Sequence, residues 1–214
     1  MRILITAGPT QEPIDDVRYI TNASSGRMGF ALAKAAKKIG HKVVVISGPV
    51  PGEPKIKGVR FVHVRTAGEM ADAVIKELEK GFDVFISAAA VGDYAPLKTI
   101  KGKIDSKRDF VLRLKPTRKI TSITKKKFPN VYVVAFKAEF NVSKKVLIER
   151  ASAKLIQEGL DLIIANDIGK YRMGSKSNRI YMTAQGKKII EMSGVKNILA
   201  ARILKTISSS LLSL

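Results

Sequence analysis

Short runs of aliphatic and β-branched residues alternate with segments of helical periodicity along most of this 214-residue chain. The first run covers Arg2 to Thr6, and the segment Gly29 to Ile39 that follows carries an apolar stripe on one helical face. Such alternation is typical of βαβ units, in which parallel strands share one sheet and helices cover its faces. The pattern therefore predicts an α/β, Rossmann-like fold with a mainly parallel sheet flanked by helices.

The same periodicity predicts the other elements. The further strands are Lys42 to Ser47, Val59 to Val64, Asp83 to Ser87, Val131 to Phe136 and Leu160 to Ala165, and the further helices are Ala67 to Lys80, Ser143 to Gln157 and Val195 to Leu211. Two regions depart from the alternation. Val91 to Lys119 is rich in Lys, Gly and Pro, with one alternating strand at Phe110 to Leu114, and is interpreted as an inserted mobile loop over the site. Gln185-Gly186 suits the turn of a β-hairpin formed by Arg179 to Thr183 and Lys187 to Glu191. We expect residues 1–214 to form one domain, with the mobile loop at about 91–119 and the hairpin at about 179–191.

The charge of the chain restricts its partners. Its 39 Lys and Arg residues outnumber 18 Asp and Glu, and the net charge of +21 attracts polyanions. Only 6% of residues are aromatic, none is Trp, and no nucleic-acid-binding signature occurs, so a specific nucleic-acid partner is not expected. The absence of Cys excludes disulfides and thiolate metal sites. Without a long apolar run or a signal-peptide pattern, we expect a cytoplasmic location and no membrane partner.

Polar and small residues follow four of the predicted strands, in the loops after Thr6, Ser87, Phe136 and Ala165. Ligands of open parallel sheets bind beyond the carboxyl ends of the strands, so these loops should meet at one cleft. The first loop reaches Ser24-Ser25-Gly26 at the start of a helix, where free N–H groups and the helix dipole favour anions. The sequence therefore predicts a phosphate-binding cleft, although it contains neither the Gly-x-Gly-x-x-Gly fingerprint nor the Walker pattern.

Five segments carry a resemblance to a known family. They are ILITAGPT at Ile3 to Thr10, VRYITNASSGRMG at Val17 to Gly29, AAAVGDY at Ala88 to Tyr94, Lys103-Ile104, and LDLIIAND at Leu160 to Asp167. In this order they resemble phosphopantothenoylcysteine synthetase (phosphopantothenate–cysteine ligase), usually the C-terminal half of a bifunctional flavoprotein of coenzyme A biosynthesis. The resemblance runs through nearly the whole chain.

The resemblance implies a ligation in two steps. The carboxylate of 4′-phosphopantothenate attacks a nucleoside triphosphate, usually CTP, and releases pyrophosphate. The amine of L-cysteine then displaces the nucleoside monophosphate from the acyl-nucleotide, giving 4′-phosphopantothenoylcysteine. The resemblance also implies Mg²⁺ bound with the nucleotide, no flavin in this chain, a homodimer, and a phosphopantothenoylcysteine decarboxylase as a candidate partner. It assigns no protein ligand to the metal.

The resemblance also implies roles for particular residues. Asn22 and Lys103 match catalytic residues, and Arg18, Asn22 and Ala89 match contacts to phosphopantothenate. The matches to nucleotide contacts are Gly8, Ser24, Ser25, Gly26, Met28, Asp93, Lys103, Phe136 and Lys154. The chain departs from the family pattern at Glu158, which stands where the family has a second lysine one helical turn after Lys154. It also has Lys137 within Ala-Phe-Lys-Ala-Glu, where the family has Gly-Phe-Ala-Ala-Glu.

Two other function classes remain open at this level. An NAD(P)-dependent short-chain reductase would share the strand–helix rhythm, but the only Tyr-x-x-x-Lys spacing considered, Tyr94 to Lys98, contains Pro96. A polyanion-binding module would use the net charge of +21. Release of pyrophosphate that depends on phosphopantothenate distinguishes the ligase from both.

Overall fold

The computed structural model describes residues 1–172 and 174–212. In chain order its elements are β1 (Arg2–Ala7), β2 (Gln11–Pro13), β3 (Tyr19–Thr21), α1 (Arg27–Lys38), β4 (Lys42–Ser47), β5 (Arg60–His63), α2 (Ala67–Leu78), β6 (Val84–Ser87), β7 (Tyr94–Pro96), β8 (Leu114–Pro116), α3 (Ile120–Lys127), β9 (Tyr132–Glu139), α4 (Lys144–Glu158), β10 (Leu162–Asp167), β11 (Ser177–Thr183), β12 (Ile190–Val195) and α5 (Lys196–Leu211). Eight of these strands form one sheet in the order β12-β11-β10-β9-β6-β1-β4-β5.

The sheet is parallel from β5 to β10, and β11 and β12 are added to it in antiparallel pairing. Strand β1 lies inside the sheet, where Ile3, Leu4 and Ile5 are fully buried. Both faces of a parallel sheet are covered by helices, which is why its strands read as continuous apolar runs instead of alternating ones. The predicted Rossmann-like α/β fold with a mainly parallel sheet is confirmed.

The helices form two layers. Apolar side chains of α1 and α5 share one buried cluster with one face of the sheet, including Leu32 and Leu199. Helices α2, α3 and α4 pack on the other face through residues such as Met70, Ile120 and Leu147. Among the described helices, none is long and apolar enough to cross a bilayer.

The predicted hairpin is present, but its second strand, β12, covers Ile190–Val195 instead of Lys187 to Glu191. The turn lies at Gln185-Gly186 as predicted: the amide of Lys187 donates to the carbonyl of Ala184 at 3.1 Å, and Gly186 has a φ of +68°. Strand β11 is not separate from the sheet but pairs antiparallel with β10, through Ile163 opposite Thr183. Strand β12 thereby becomes an edge of the eight-stranded sheet.

The region from Val91 to Lys119 contains more pairing than predicted. Strands β7 and β8 form an antiparallel ribbon. The prediction of a strand at Phe110 to Leu114 is wrong except at its last residue, because β8 covers Leu114–Pro116. Helix α3 and the ribbon of β2 and β3 were not predicted. These strands have three residues each and α3 has eight, lengths too short for periodicity to detect. The mobility of the 91–119 region and the single-domain organisation stay predictions.

Candidate active site

A cleft of about 500 Å³ opens at the carboxyl-terminal edge of the parallel strands. All four loops predicted to meet there contribute to its wall, through Asn22 after β1, Ala89 after β6, Phe136 in β9 and Asn166 in β10. The segment before α3 and the start of α5 complete the lining. The four loops therefore converge as the parallel topology requires.

Hydrogen bonds connect the first loop to the second. The hydroxyl of Thr10 accepts from the amide of Gly92 at 2.9 Å, and the carbonyl of Gly8 accepts from the amide of Ala90 at 2.8 Å. The side-chain amide of Asn22 donates to the carbonyl of Ala90 at 3.1 Å and to that of Val91 at 3.2 Å. Two carbonyl acceptors fix the orientation of this amide, because only its Nδ2 can donate to them. Asn22 thus holds the Ala88 to Val91 loop at the cleft, and no described residue donates a hydrogen bond to its Oδ1.

The N-terminus of α1 has the features of an anion-binding site. Gly26 is its N-terminal capping residue with a φ of +67°, no side chain caps the helix, and its first turn contains no acidic residue. A Cβ on Gly26 would lie 2.5 Å from the Phe30 ring and 3.0 Å from the amide nitrogen of Gly8, so only glycine allows this close approach. The backbone amides of the first turn and the helix dipole therefore favour a phosphate beside Ser24 and Ser25, which line the cleft.

Several lysines of the cleft are held by carboxylates. Nζ of Lys154 lies 2.6 Å from Oε1 of Glu158, which also accepts a hydrogen bond from the hydroxyl of Thr121 through its other oxygen. The side chain of Glu158 is only 12% exposed and that of Lys154 is 24% exposed. Glu158, where the resemblance led us to expect a second lysine, thus neutralises Lys154. In contrast, the pair of Lys119 with Asp93 is more than half exposed on both sides, so a ligand can break it at little cost.

Arg18 and Lys103 lie outside the residues that line the cleft. Arg18 is joined instead to Ile104, the neighbour of Lys103, directly through the carbonyl of Ile104 and through Asp15, whose side chain is fully buried. Its carboxylate accepts from the amide of Ile104 and from Nε of Arg18, both at 3.0 Å, and lies 2.7 Å from a terminal nitrogen of the same guanidinium. The hydrogen bond from Ile104, with further bonds from the amides of Arg18 and Val17, holds the pKa of Asp15 far below its ordinary value. The sequence analysis did not single out Asp15, since the Asp15-Asp16 pair in a loop matches no functional motif.

The remaining predicted residues divide into two groups. Ser24, Ser25, Gly26, Met28, Ala89, Asp93, Phe136 and Lys154 all line the cleft. Gly8 does not: it forms the turn after β1 with a φ of +75°, and a Cβ there would meet the carbonyl oxygen of Gly48 at 2.9 Å. Their individual roles stay predictions.

Further residues that line the cleft were not among the predicted site residues, although Arg118 lies in the loop predicted to cover the site and Lys196 in a predicted helix. Arg118 precedes α3, Arg172 follows β10, Asn178 lies in β11 and Lys196 begins α5. Burial, together with the positive charge of Arg27, lowers the pKa of Lys196. No sequence motif marks these residues, because the order of the strands in the sheet, and not their local sequence, brings them to the cleft.

Comparisons with known proteins identify relatives of this chain in sequence and in fold. The profile of the family described as "DFP: DNA/pantothenate metabolism flavoprotein C-terminal domain" matches residues 1–211. The coenzyme A biosynthesis bifunctional protein CoaBC of Methanocaldococcus jannaschii is 36% identical over 206 residues, which cover 96% of this chain and 50% of that protein. The corresponding protein of Thermococcus kodakarensis is 39% identical over 207 residues, covering 94% of this chain and 49% of that protein.

A crystal structure described as the C-terminal domain of CoaBC matches with a TM-score of 0.82 and 33% identity, covering 99% of this chain and 96% of that one. The chain spans about half the length of the curated relatives it matches. A profile match over almost all of its residues, in the fold and with the loops described above, means that the chain belongs to the DNA/pantothenate metabolism flavoprotein C-terminal domain family.

Proposed function

We propose that this chain ligates 4′-phosphopantothenate to L-cysteine with a nucleoside triphosphate, CTP in the first instance, through an acyl-nucleotide intermediate. The observation that carries the proposal is the junction of two motif loops, where Asn22 holds the Ala88 to Val91 loop beside the uncapped start of α1. Family membership supports the same reaction, because the matched relatives are named as coenzyme A biosynthesis proteins.

The chemistry needs positioning and charge stabilisation more than a protein nucleophile. In the first step a carboxylate oxygen of the substrate attacks the α-phosphorus and pyrophosphate leaves, so negative charge builds up on phosphate oxygens. The first turn of α1 and the cations Lys119, Lys154 and Lys196 are placed to stabilise that charge. In the second step the cysteine amine attacks the acyl carbon and the nucleoside monophosphate departs. The Oδ1 of Asn22, which accepts no hydrogen bond from the described residues, is placed to orient that amine.

The described residues fit Mg²⁺ held mainly by the nucleotide. They contain no group of three or more His, Asp or Glu side chains that would bind a metal. Asp93 is the only carboxylate among the described residues that line the cleft, and its side chain is 74% exposed. Mg²⁺ in nucleotide enzymes is commonly bound by one or two carboxylates together with substrate phosphates, and Asp93 would supply that carboxylate here. The metal would neutralise phosphate charge during attack.

The proposal extends to partners and location. We propose a homodimer in which β11 and β12 form the contact, because β12 leaves the edge of the large sheet open for pairing, and basic loops complete the partner's site. A phosphopantothenoylcysteine decarboxylase is the proposed functional partner, since the chain matches half of bifunctional relatives. The proposed location is the cytoplasm. If sedimentation shows an active monomer at assay concentrations, the proposed homodimer is wrong, but the proposed ligation is unaffected.

The ligase is tested by following pyrophosphate release with CTP, ATP, GTP or UTP, with and without 4′-phosphopantothenate and Mg²⁺. We expect release to require both additions and to be fastest with CTP, and cysteine to yield an amide. Formation of nucleoside diphosphate and orthophosphate would point to an acyl-phosphate and overturn the nucleotidyl mechanism. If the triphosphate is cleaved at the same rate with and without 4′-phosphopantothenate, the proposed ligase activity is wrong.

A further inference from the structure

A second cavity of about 780 Å³ lies beside the cleft, between the first turns of α1, the segment Pro51 to Lys57 and the start of α5. We call it the basic groove. It shares Ser25, Arg27 and Lys196 with the cleft and is otherwise lined by different residues. The proposed ligation assigns no role to it.

The groove concentrates positive charge without counter-charge. Among the described residues, its lining contains six cations and no carboxylate; the cations are Arg27, Lys34, Lys55, Lys57, Lys176 and Lys196. None of the six forms an ion pair with another described residue, whereas Lys119, Lys137 and Lys154 of the cleft all do. Glu53, close in sequence to Lys55 and Lys57, is instead 2.7 Å from Nε2 of His63. The basic groove is therefore a region of positive potential that the protein itself leaves uncompensated.

Lys196 lies where the charged form of its side chain is disfavoured. Its side chain is partly buried, and burial with the nearby Arg27 charge lowers its pKa. The backbone amide of Lys196 donates to the carbonyl of Lys176 at 3.0 Å, and the guanidinium of Arg27 donates to the carbonyl of Gly174. These contacts hold cations close together where water is partly excluded. A bound anion would relieve their repulsion, because opposite charge favours the charged form of a lysine.

The floor of the basic groove is apolar. The Phe30 side chain is buried there, Ile56 is partly buried, and Val195 remains 47% exposed. A ligand suited to this surface carries both a phosphate and an apolar portion. We propose that the basic groove binds a small phosphorylated molecule with an apolar portion, and that its occupancy weakens anion binding in the cleft because Arg27 and Lys196 serve both.

The proposal is tested with hexyl phosphate and inorganic phosphate as probes, by calorimetry at about physiological salt, where surface charges are screened beyond roughly 8 Å. The test variant is Lys34→Gln with Lys57→Gln, because both residues line only the groove. The control is Lys38→Gln with Lys205→Gln, which removes the same charge from exposed positions on α1 and α5 that line neither cavity.

We expect hexyl phosphate to bind the wild type more tightly than inorganic phosphate, and the test variant to bind it about fivefold more weakly per lysine removed. The control variant should bind as the wild type does. Saturating hexyl phosphate should raise the apparent Kd of the cleft for CTP. Saturating CTP should raise the apparent Kd for hexyl phosphate by the same factor. If the test and control variants lose affinity for hexyl phosphate equally, the binding reflects non-specific attraction by the net charge, and the proposal of a binding site in the basic groove is wrong.

The same measurements separate this proposal from the ligase. Hexyl phosphate binding does not depend on turnover, so it can be present in a protein that ligates nothing. If the wild type ligates but binds hexyl phosphate no better than inorganic phosphate, the groove proposal fails alone. Lack of any reciprocal effect between CTP and hexyl phosphate would overturn the coupling through Arg27 and Lys196.

Discussion

Substituting Glu158→Gln tests whether this glutamate restrains Lys154, which we propose as a nucleotide contact. In the wild type its carboxylate engages both Lys154 and the hydroxyl of Thr121, so it joins α4 to α3 at the wall of the cleft. Glutamine keeps a similar shape and an acceptor for Thr121 but removes the negative charge. Lys154 then faces the cleft without a competing carboxylate.

The expected magnitude follows from the burial of the pair. A net charge-assisted hydrogen bond contributes about 1.5–3 kcal/mol, and we take the lower end because the Lys154 side chain is 24% exposed. A nucleotide phosphate that binds Lys154 must offset that interaction in the wild type. Removing it should lower the apparent Kd for CTP by about tenfold, since 1.4 kcal/mol corresponds to a factor of ten. The unfolding free energy should fall by about 1 kcal/mol, because Lys154 loses its counter-charge.

The assay is CTP binding by calorimetry together with the KM for CTP in pyrophosphate release, and urea unfolding gives the stability. Glu149→Gln is the matched control, since Glu149 is exposed on the same helix and forms no ion pair among the described residues. It makes the same change in net charge away from the cleft. An apparent Kd for Glu158→Gln within twofold of that control would refute the restraint of Lys154 by Glu158.

The other predictions concern residues that the family resemblance and the structure single out. Asn22→Asp should lower turnover by about 10²-fold. It should also lower the free energy of unfolding by about 1–2 kcal/mol, because the new carboxylate would face two backbone carbonyls to which the Asn22 amide donates hydrogen bonds. Unchanged turnover in the folded variant would contradict the role proposed for Asn22. Lys103→Gln should lower turnover by roughly 10²–10³-fold with no change in urea midpoint, whereas Lys101→Gln, an exposed neighbour, should behave as the wild type. Asp15→Asn should make the free energy of unfolding depend less on pH in acid. Folding lowers the pKa of Asp15, so its stabilising contribution is full above the unfolded pKa of about 3.9 and is lost as the pH falls toward the folded pKa. Unfolding measured between about pH 5 and pH 2 should therefore show a steeper loss in the wild type than in this variant, and parallel curves would count against the buried carboxylate as the titrating group.

Several features of the site could be predicted because they depend on residues close together in sequence. Strand β4 begins at Lys42 and ends at Ser47, as its run of β-branched residues indicates. The Ser24-Ser25-Gly26 segment starts a helix, and the loops after β6 and β9 reach the same cleft. Short-range periodicity and the rule that parallel strands share a carboxyl edge are sufficient for these conclusions.

Other features depend on which distant residues meet. The Lys154–Glu158 pair is a local helical contact, but only the packing of α3 against α4 adds Thr121 to it and places it at the wall of the cleft. Arg18 joins the Lys103-Ile104 segment by a direct hydrogen bond to the carbonyl of Ile104 and through Asp15, which is buried there. No spacing in the chain encodes that burial, since more than eighty residues separate the two motifs in sequence.

The sequence by itself determined the α/β class, the order of most strands and helices, and the family to which the chain belongs. Tertiary structure alone decided that β11 extends the sheet, that Lys196 and Arg27 stand between two cavities, and that six cations line one groove without a carboxylate. The physical reason is that periodicity and turn chemistry act over a few residues, whereas strand pairing, burial and uncompensated charge depend on groups that folding brings together from far along the chain.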